Sequence, residues 1–383
     1  MGAQSSTQEQ VVFAVSSVDF LHGEVAYRVC DDNWIRPERF TKGQKDAIVA
    51  EGVRYPEIYA DMVNCTSGIS IEFTTDATHI EIEASVDELP SSSQKVIDDI
   101  ISLRHSLDTP YDGCAVYVDG KFKGIHAPSD EESIIRIFLD GTEDTTPFTS
   151  IPEPQKDKQK TQKNPELTGD TLVYHHVKVW LPVLSGAKIR SIAVNGTHVT
   201  PVPKARPLFI MGDSLSQGFY TGNPALGYAA QLSRMLMCDI VNQSIGGQVF
   251  NAQTIADLSS YARPHRIIVQ LGANYRYDAC DEESVKKEIE EYFAALHDAF
   301  PDVRTYVITP TWHSDIIYRT HHKSCVESLP YILHEVVTAY DNMTYIDGAT
   351  LLPRQFNLLA DGDHPNTEGH NLIAQHIAQE LAK

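Results

Sequence analysis

The pattern of apolar residues in this 383-residue chain changes near residue 200. Before that point, short runs alternate apolar and polar side chains, which is the period-two pattern of half-buried β-strands. Asp119-Gly120 and Asn195-Gly196 are turn signals, because such dipeptides tolerate the positive φ of tight hairpin turns. Residues 1–200 are therefore predicted to form a β-sandwich domain. Its strands are expected at residues 68–73, 79–84, 114–118, 121–125, 134–139, 173–181 and 189–194.

Two polar insertions interrupt this β pattern. Residues 91–107 have the composition of a short surface helix. Residues 152–169 are almost wholly polar, which predicts a mobile loop without a packed core of its own.

After residue 200, short apolar runs alternate with longer segments of helical spacing. Strand-helix alternation at this spacing predicts a parallel sheet with helices on both faces. Residues 201–383 are therefore predicted to form a separate α/β domain with a five-stranded parallel sheet. Its strands are expected at 208–211, 240–241, 266–271, 303–309 and 344–346, and its helices at 228–237, 254–261, 282–300, 326–340 and 368–381.

Four polar clusters lie where the predicted strands end or just before the last helix. Ser214 follows the first strand, the Gly246-Gly247 pair follows the second, and Asn274 follows the third. Asp361 and His364 stand together before the last helix. In open parallel sheets, ligands bind in the crevice at the carboxyl ends of the strands. The clusters are therefore expected to form one site.

Each cluster has a chemical and a structural interpretation. Ser214 is a candidate nucleophile at the sheet edge, although a serine there also suits the start of a helix. The glycine pair either lets backbone N–H groups approach a ligand or forms an ordinary loop. Asn274 either donates to a developing oxyanion or forms a turn. Asp361 can orient His364 and stabilise the imidazolium that forms when His364 takes a serine proton, although a lone histidine there also suits a surface or capping position.

The four clusters together resemble the motif blocks of the SGNH or GDSL hydrolase superfamily, over roughly residues 205–383. The segment 212–216, GDSLS, matches the block that names the family. Gly247 matches the glycine of the second block when Asn242 is aligned with the first residue of that block. Gly272-x-Asn274 matches most of the third block, and Asp361-x-x-His364-Pro365 matches the last. The resemblance implies a three-layer α/β/α domain.

The resemblance also implies the roles of these residues. Ser214 would be the nucleophile, His364 the general base and acid, and Asp361 the orienting carboxylate. The oxyanion hole would come from the backbone N–H groups of Ser214 and Gly247 and from the side chain of Asn274. No metal and no organic cofactor is implied.

The sequence departs from the family pattern at one position and offers an alternative at another. Tyr275 stands where the third block usually has an Asp, so the catalytic roles are unaffected but the pocket wall differs. Asp363 is an alternative to Asp361 as the partner of His364, and the family pattern favours Asp361.

Three residues are predicted to bind substrate. Tyr275 either contacts the substrate or packs in the core. Trp312 and His313 follow the fourth strand and are therefore candidates for the cleft, where an aromatic ring can stack on a sugar. Trp180 lies on an alternating strand and is expected in the sandwich core.

A β-sandwich ahead of an SGNH domain is similar to the layout of two-domain carbohydrate acetylesterases, in which the sandwich is jelly-roll-like. This likeness implies a serine esterase that hydrolyses short acyl esters, especially acetyl esters of carbohydrates, through an acyl-enzyme. Two alternatives stay open at this point. One is acyl transfer to another alcohol or lipase-like hydrolysis, and the other is a carbohydrate-binding protein whose hydrolase half has decayed.

Composition limits the other partners. Lys and Arg number 31 against 52 Asp and Glu, a net charge of −21, and acidic residues are in excess in both halves. This charge repels polyphosphates and argues against a nucleic-acid partner. No apolar run approaches the roughly 20 residues that span a bilayer, and the N-terminus lacks the pattern of a signal peptide. A cytoplasmic protein with a small ester substrate is expected, and nothing in the sequence fixes its oligomeric state.

The six cysteines are far apart and form no C-x-x-C pair. This spacing argues against a structural zinc site and against a disulfide scaffold. Scattered thiols in a reducing compartment are expected at Cys30, Cys65, Cys114, Cys238, Cys280 and Cys325.

Overall fold

The fold is described from a computed structural model. It describes residues 11–14, 18–50, 53–94, 98, 112–139, 173–255, 257–261, 263–277, 279–314 and 322–383. The strands up to Pro201 belong to antiparallel sheets and those from Leu208 onward to a parallel sheet. We call the described residues up to 201 the N-terminal region and those from 208 onward the C-terminal region.

The N-terminal region contains two six-stranded antiparallel sheets packed face to face. One has the order β3-β4-β11-β6-β9, with β1 also paired to β11, and the other has the order β12-β5-β10-β7-β8, with β2 also paired to β5. The strands are β1 (Val11–Ala14), β2 (Leu21–His22), β3 (Ala26–Val29), β4 (Ile35–Glu38), β5 (Ser70–Thr75), β6 (His79–Val86), β7 (Cys114–Val118), β8 (Lys121–His126), β9 (Ile134–Phe138), β10 (His175–Trp180), β11 (Ala187–Val194) and β12 (Val199–Pro201).

The period-two pattern places alternate side chains of each strand in the sandwich core. Ile71 and Phe73 of β5 meet Ile80 and Ile82 of β6 there, and all four are fully buried. The predicted strands of this region are confirmed within two residues at each end. The sequence pattern missed β1 to β4 and β12, which are short. Of the predicted helix at 91–107, residues 91–94 are helical and most of the rest lies outside the described residues, as does the predicted loop at 152–169.

Two short helices of the N-terminal region, α1 (Lys42–Ile48) and α2 (Pro56–Met62), were not predicted from the sequence. Helix α1 begins at a capping box, in which Thr41 and Gln44 satisfy each other's backbone N–H groups. The two helices carry apolar side chains into a cluster shared with the C-terminal region, which includes Ile48, Tyr59, Met62, Phe219 and Ile245.

The C-terminal region contains a five-stranded parallel sheet in the order β14-β13-β15-β16-β17. Its strands are β13 (Leu208–Gly212), β14 (Ile240–Asn242), β15 (Arg266–Gln270), β16 (Arg304–Ile308) and β17 (Met343–Ile346). Its helices are α3 (Ser214–Gln217), α4 (Tyr228–Leu236), α5 (Leu258–Tyr261), α6 (Glu282–Ala299), α7 (Ser324–Val337) and α8 (Thr367–Leu381).

Both faces of this sheet are buried, as the nearly continuous apolar strands predict. Phe209 and Ile267 face the layer that contains α6 and α7, while Leu208 and Ile268 face the layer that contains α4 and α8. The predicted three-layer α/β/α arrangement is therefore confirmed. The helix predicted at 254–261 is interrupted, because Asp257 takes a left-handed conformation with φ +59° between a 3-10 turn and α5.

Two further expectations are corrected. Cys280 and Cys325 form a disulfide, with a Cα–Cα distance of 6.4 Å, because the packing of α6 against α7 brings residues 45 apart in sequence together. Trp180 is buried, but outside the sandwich core. On β10 it alternates with Val179, so Val179 faces the sandwich while Trp180 packs with Leu208 and Tyr228 of the C-terminal region.

In the described part of the chain, no helix combines the length and apolar character needed to cross a membrane.

Candidate active site

Ser214 is the first residue of α3, directly after β13. Asp213 is the N-cap, and its carboxylate accepts the backbone N–H of Leu215 at 3.1 Å. Gly212 is required at the turn, because a Cβ there would collide with the Ser216 hydroxyl. The turn presents the Ser214 hydroxyl to His364, whose Nε2 lies 2.8 Å from Ser214 Oγ. A serine hydroxyl at this distance from an imidazole can pass its proton to the ring.

The other ring nitrogen of His364 contacts Asp361. Nδ1 lies 2.9 Å from Asp361 Oδ2, and Asp361 Oδ1 accepts the backbone N–H groups of His364 at 2.6 Å and Asp363 at 2.9 Å. Asp363 instead pairs with the Arg276 guanidinium and accepts the hydroxyl of Tyr277 at 2.5 Å. The geometry thus favours Asp361 over Asp363 as the partner of the imidazole.

Burial and charge act in opposite directions on this pair. Burial lowers the pKa of His364, but Asp361, and to a smaller extent Asp363, outweigh it, so the pKa is raised above the usual 6.5. Burial raises the pKa of Asp361, but its charge interaction and hydrogen bond with His364 outweigh it and hold that pKa far below its usual range. Asp361 is therefore ionised at neutral pH, and its charge stabilises the imidazolium form of His364.

Three further residues of the site, Tyr220, Asp213 and Arg276, were not predicted from the sequence to belong to it. The ring of Tyr220 stacks on the imidazole of His364 at 4.8 Å between centroids. Asp213 is wholly buried beside Ser214, and burial raises its pKa to about 6. Arg276 carries a buried charge into the same pocket as Ser214 and His364. Asp213 lies within the GDSLS segment and Arg276 shortly after the third block, so only the motif context pointed toward them.

The oxyanion-hole candidates lie close to one another. Asn274 lines the pocket with Ser214, and its side-chain Nδ2 donates to the carbonyl of Gln248 at 3.0 Å. Gly247 precedes Gln248 in the loop after β14 and has a φ of +83°, which favours glycine. Its carbonyl accepts the hydroxyl of Tyr59 on α2 at 2.8 Å. The loop is thus held from one side by Asn274 and from the other by the N-terminal region.

The three predicted substrate contacts have different outcomes. His313 lines the pocket beside Ser214. Trp312 is half-buried against the layer of α4 and α8 and does not line that pocket. The prediction that Tyr275 contacts substrate is wrong, because its ring is fully buried in the core, stacked near Phe250, with its hydroxyl donated to Glu288.

The pocket beside Ser214 is small, with a cavity volume of about 20 Å³. A volume of this size holds roughly one water-sized or methyl-sized group. Asp213, Asp363 and Arg276 contribute charge to its wall.

Among the described residues, one group has the spacing of metal ligands, namely His22, Glu72 and Asp239. Glu72 is already paired with the ammonium of Lys178, and His22 with Asp239 at 2.8 Å. None of these residues lines the Ser214 pocket.

The C-terminal region is similar to a known sequence family. Residues 210–372 match the sequence model of the GDSL-like lipase/acylhydrolase family. An arylesterase from Vibrio mimicus is 25% identical over 191 residues, which cover 46% of this chain and 88% of the relative.

Solved structures resemble almost the whole chain. A salicylyl-acyltransferase, SsfX3, from a tetracycline biosynthetic pathway superposes with a TM-score of 0.69 at 14% identity, covering 97% of each chain. A family two carbohydrate esterase from Clostridium thermocellum, in complex with cellohexaose, has a TM-score of 0.60 at 12% identity, covering 94% of this chain and 98% of its own. At these identities the likeness shows a shared fold that includes the N-terminal region.

Proposed function

We propose that this carboxylic ester hydrolase acts through Ser214, His364 and Asp361. The premise is that residues 210–372 form a hydrolase domain of the GDSL-like lipase/acylhydrolase family. The observation that carries the proposal is the continuous contact from Ser214 Oγ through His364 to Asp361, at 2.8 Å and 2.9 Å. Serine, histidine and aspartate in this order and geometry are the parts of a nucleophilic triad.

In the first step Ser214 Oγ attacks the ester carbonyl carbon while His364 Nε2 takes the serine proton. The carbonyl oxygen becomes an oxyanion, and collapse of the tetrahedral intermediate expels the alcohol, which leaves with the proton from His364. A water molecule then repeats the sequence on the acyl-enzyme, with His364 again as base and then as acid.

The oxyanion requires donors that are already in place. We assign the backbone N–H groups of Ser214 and Gly247 and the side-chain amide of Asn274. Asn274 Nδ2 donates to the Gln248 carbonyl at 3.0 Å and to Asp213 Oδ2 at 3.4 Å. An amide NH2 has two N–H groups, so Asn274 can keep its bond to Gln248 and turn the N–H of the longer contact with Asp213 to the oxyanion.

For the substrate we propose short acyl groups, with acetyl first, on a carbohydrate alcohol. The small pocket beside Ser214 supports a short acyl chain, since a long chain would need a longer apolar channel. The carbohydrate part is supported by the fold shared with the cellohexaose-bound esterase. The acidic groups around the pocket also disfavour an anionic acyl group.

The triad is tested with Ser214→Ala and p-nitrophenyl acetate. We expect kcat to fall by roughly a thousandfold or more, because the nucleophile is lost while the fold is kept. A fluorophosphonate probe should label the unchanged protein and fail to label the variant. Ser260→Ala, which changes an exposed serine, is the matched control. Unchanged turnover in Ser214→Ala, or no labelling of the unchanged protein, contradicts the proposal.

The acyl preference is tested by comparing acetyl and octanoyl esters of the same phenol. We expect kcat/KM to be higher for the acetyl ester, because the octanoyl chain exceeds the volume beside Ser214. A strong preference for the octanoyl ester would refute the short-acyl assignment.

Acyl transfer is a second candidate, supported by the fold shared with the salicylyl-acyltransferase. The same acyl-enzyme can be released by an alcohol instead of water. Product analysis in the presence of an acceptor alcohol separates the two reactions, because transfer yields a new ester and hydrolysis yields the free acid.

A further inference from the structure

A second, larger cavity lies between the N-terminal and C-terminal regions. Its volume is about 500 Å³, against about 20 Å³ for the pocket beside Ser214. Arg54 and Tyr59 line it from the N-terminal region, and the 248–254 segment and two glutamates of α6 line it from the C-terminal region. Cavities of roughly 300 to 1,000 Å³ are typical of small-molecule sites.

This cavity shares a wall with the candidate oxyanion loop. Gln248 lines the cavity, while its carbonyl accepts the side-chain amide of Asn274, which lines the Ser214 pocket. Tyr59 also lines the cavity and donates its hydroxyl to the carbonyl of Gly247. One short loop therefore borders both pockets, which have no lining residue in common.

Polar side chains line the cavity together with apolar ones such as Val53 and Phe250, and the lining is not suited to an anion. Glu288 and Glu291 outnumber the one cationic side chain, Arg54, and Asn251 and Gln253 add neutral donors and acceptors. A phosphate or carboxylate would be opposed by the two glutamates. A purely apolar ligand would leave the polar side chains without partners, at a cost in free energy. Hydroxyl groups, which both donate and accept, match such a mixed lining.

A buried acceptor in the wall also lacks a partner. Gln248 is 7% exposed, and its Oε1 atom is buried without a hydrogen-bond partner among the described residues. Buried side-chain acceptors are normally satisfied, so this atom marks a polar group beside the cavity that has no donor among the described residues.

Tyr275, which stands where the family pattern has an Asp, contacts two side chains of the cavity wall, Glu288 and Arg54. The buried Tyr275 donates its hydroxyl to Glu288, and the Arg54 guanidinium lies 5.2 Å from the centre of the Tyr275 ring. Tyr275 thereby positions one acceptor and one donor at the cavity from behind.

We propose that this junction cavity binds the uncharged, polyhydroxylated alcohol portion of the ester, with the acyl group at Ser214. The inference rests on the proposed esterase function and adds the place where the sugar binds. Both regions contribute to that place, so substrate recognition belongs to the whole chain.

The test compares a substrate that has a sugar with one that lacks it. Glu291→Ala, Gln253→Ala and the double variant remove hydroxyl partners, and Ala252→Trp fills the cavity. We expect KM for mono-O-acetylated cellobiose to rise about tenfold in the double variant and more in Ala252→Trp, since each lost charged hydrogen bond is a large effect. We expect kcat/KM for p-nitrophenyl acetate to stay within about twofold, because that ester has no sugar to bind.

Glu290→Ala is the matched control, since Glu290 is exposed on the same helix and does not line the cavity. Titration of Ser214→Ala with cellobiose gives a measurement without turnover, in which binding should be lost on adding Ala252→Trp. Unchanged KM and unchanged cellobiose binding in the cavity variants overturn the inference. Loss of p-nitrophenyl acetate turnover in Ser214→Ala would still support the esterase, so the two proposals fail separately.

Discussion

The protonation of His364 should determine how the reaction rate changes with pH. In the proposed mechanism the ring must be neutral to take the proton of Ser214, so activity should be lost as the pH falls through the pKa of His364. Asp361 raises that pKa above the usual 6.5 despite burial. We therefore expect the acid limb of kcat/KM to have its midpoint above pH 6.5.

Replacing Asp361 with asparagine removes the charge but keeps the shape. Burial then dominates, so we expect the acid limb to move below pH 6.5 and kcat to fall by roughly a hundredfold to ten-thousandfold. The pH profile of p-nitrophenyl acetate hydrolysis measures both effects. In Asp363→Asn, which loses a weaker influence on His364, the midpoint should move less. An acid limb that stays in place in Asp361→Asn would contradict this account.

At the residue scale, the motif blocks predicted which side chains meet but not what surrounds them. Ser214, Asp361 and His364 could be placed together because Ser214 follows a recognisable strand, while Asp361 and His364 precede a recognisable helix. The burial of Tyr275 could not, since a tyrosine after the third strand has the same local pattern whether it faces the cleft or the core. Tyr220, which stacks on His364, has a left-handed backbone conformation with φ +63°. The spacing of apolar residues in the sequence does not predict such a conformation.

Helix α2 connects the N-terminal region to the loop that carries the candidate oxyanion donor. The Tyr59 hydroxyl is its polar contact with Gly247, while the ring packs in the shared apolar cluster. Tyr59→Phe removes the hydroxyl alone. We expect kcat for p-nitrophenyl acetate to fall about tenfold with little change in KM or melting temperature, because the loop loses a positioning hydrogen bond worth on the order of 1 kcal/mol.

The control for this change is Tyr331→Phe, at a position that is 80% exposed. Binding of a boronic acid, which mimics the tetrahedral intermediate, adds a readout that general destabilisation would not move. If Tyr59→Phe binds the boronic acid as tightly as the unchanged protein and keeps its kcat, Tyr59 does not position the oxyanion loop.

The segment just before α1 contributes a buried guanidinium to the same loop. Arg39 is wholly buried, and it donates to the carbonyls of Met62, Cys65, Asn242 and Ser244 at 2.7 to 3.1 Å. Burial lowers its pKa to about 10, so it stays charged at neutral pH. Two of the carbonyls belong to the N-terminal region and two to the C-terminal region, so one side chain joins both.

We expect Arg39→Met to lower the free energy of unfolding by about 3 kcal/mol or more, because several buried carbonyls lose their donors together. Urea unfolding followed by circular dichroism measures the change. Lys42→Met is the control, since the Lys42 ammonium is exposed and pairs with Asp46 one turn along the same helix, and the change should cost under about 0.5 kcal/mol. Equal midpoints for the two variants would show that the Arg39 contacts are not stabilising.

At the element scale, long periodic segments were predictable and short ones were not. The parallel strands are short apolar runs, and helices α6 to α8 carry apolar stripes of helical period, so both kinds of segment stand out in the sequence. Helices α1 and α2 have seven residues each, too few for a periodic stripe to stand out. Their positions follow from contacts with the other region, which the sequence pattern does not encode locally.

For the whole molecule, the net charge of −21 and the excess of acid in both halves remain an argument against polyanionic partners. The pattern change near residue 200 correctly separated the antiparallel from the parallel sheets. The same pattern did not show how closely the two regions pack. Alternating apolar and polar residues identify the buried face of a strand, but they do not identify the side chains that cover it. Trp180 illustrates this point, since its strand is part of the sandwich but its ring belongs to the junction.

The junction should make the chain unfold as one cooperative unit. Trp180 is 2% exposed and packs with side chains of the parallel-sheet region, so Trp180→Ala removes a large part of the shared core. We expect a loss of about 3 to 5 kcal/mol, as for other buried aromatic truncations. Esterase activity and far-ultraviolet circular dichroism should be lost at one urea concentration in the unchanged protein and at two in the variant.

Trp34→Ala supplies the same substitution away from the junction. Trp34 packs its ring near Lys188 and Arg190 of the sandwich, so its loss should leave the two transitions coincident. Coincident transitions in Trp180→Ala as well would mean that Arg39, Tyr59 and the remaining apolar contacts couple the regions without it. Separate transitions in the unchanged protein would mean that the contacts across the junction do not couple the two regions.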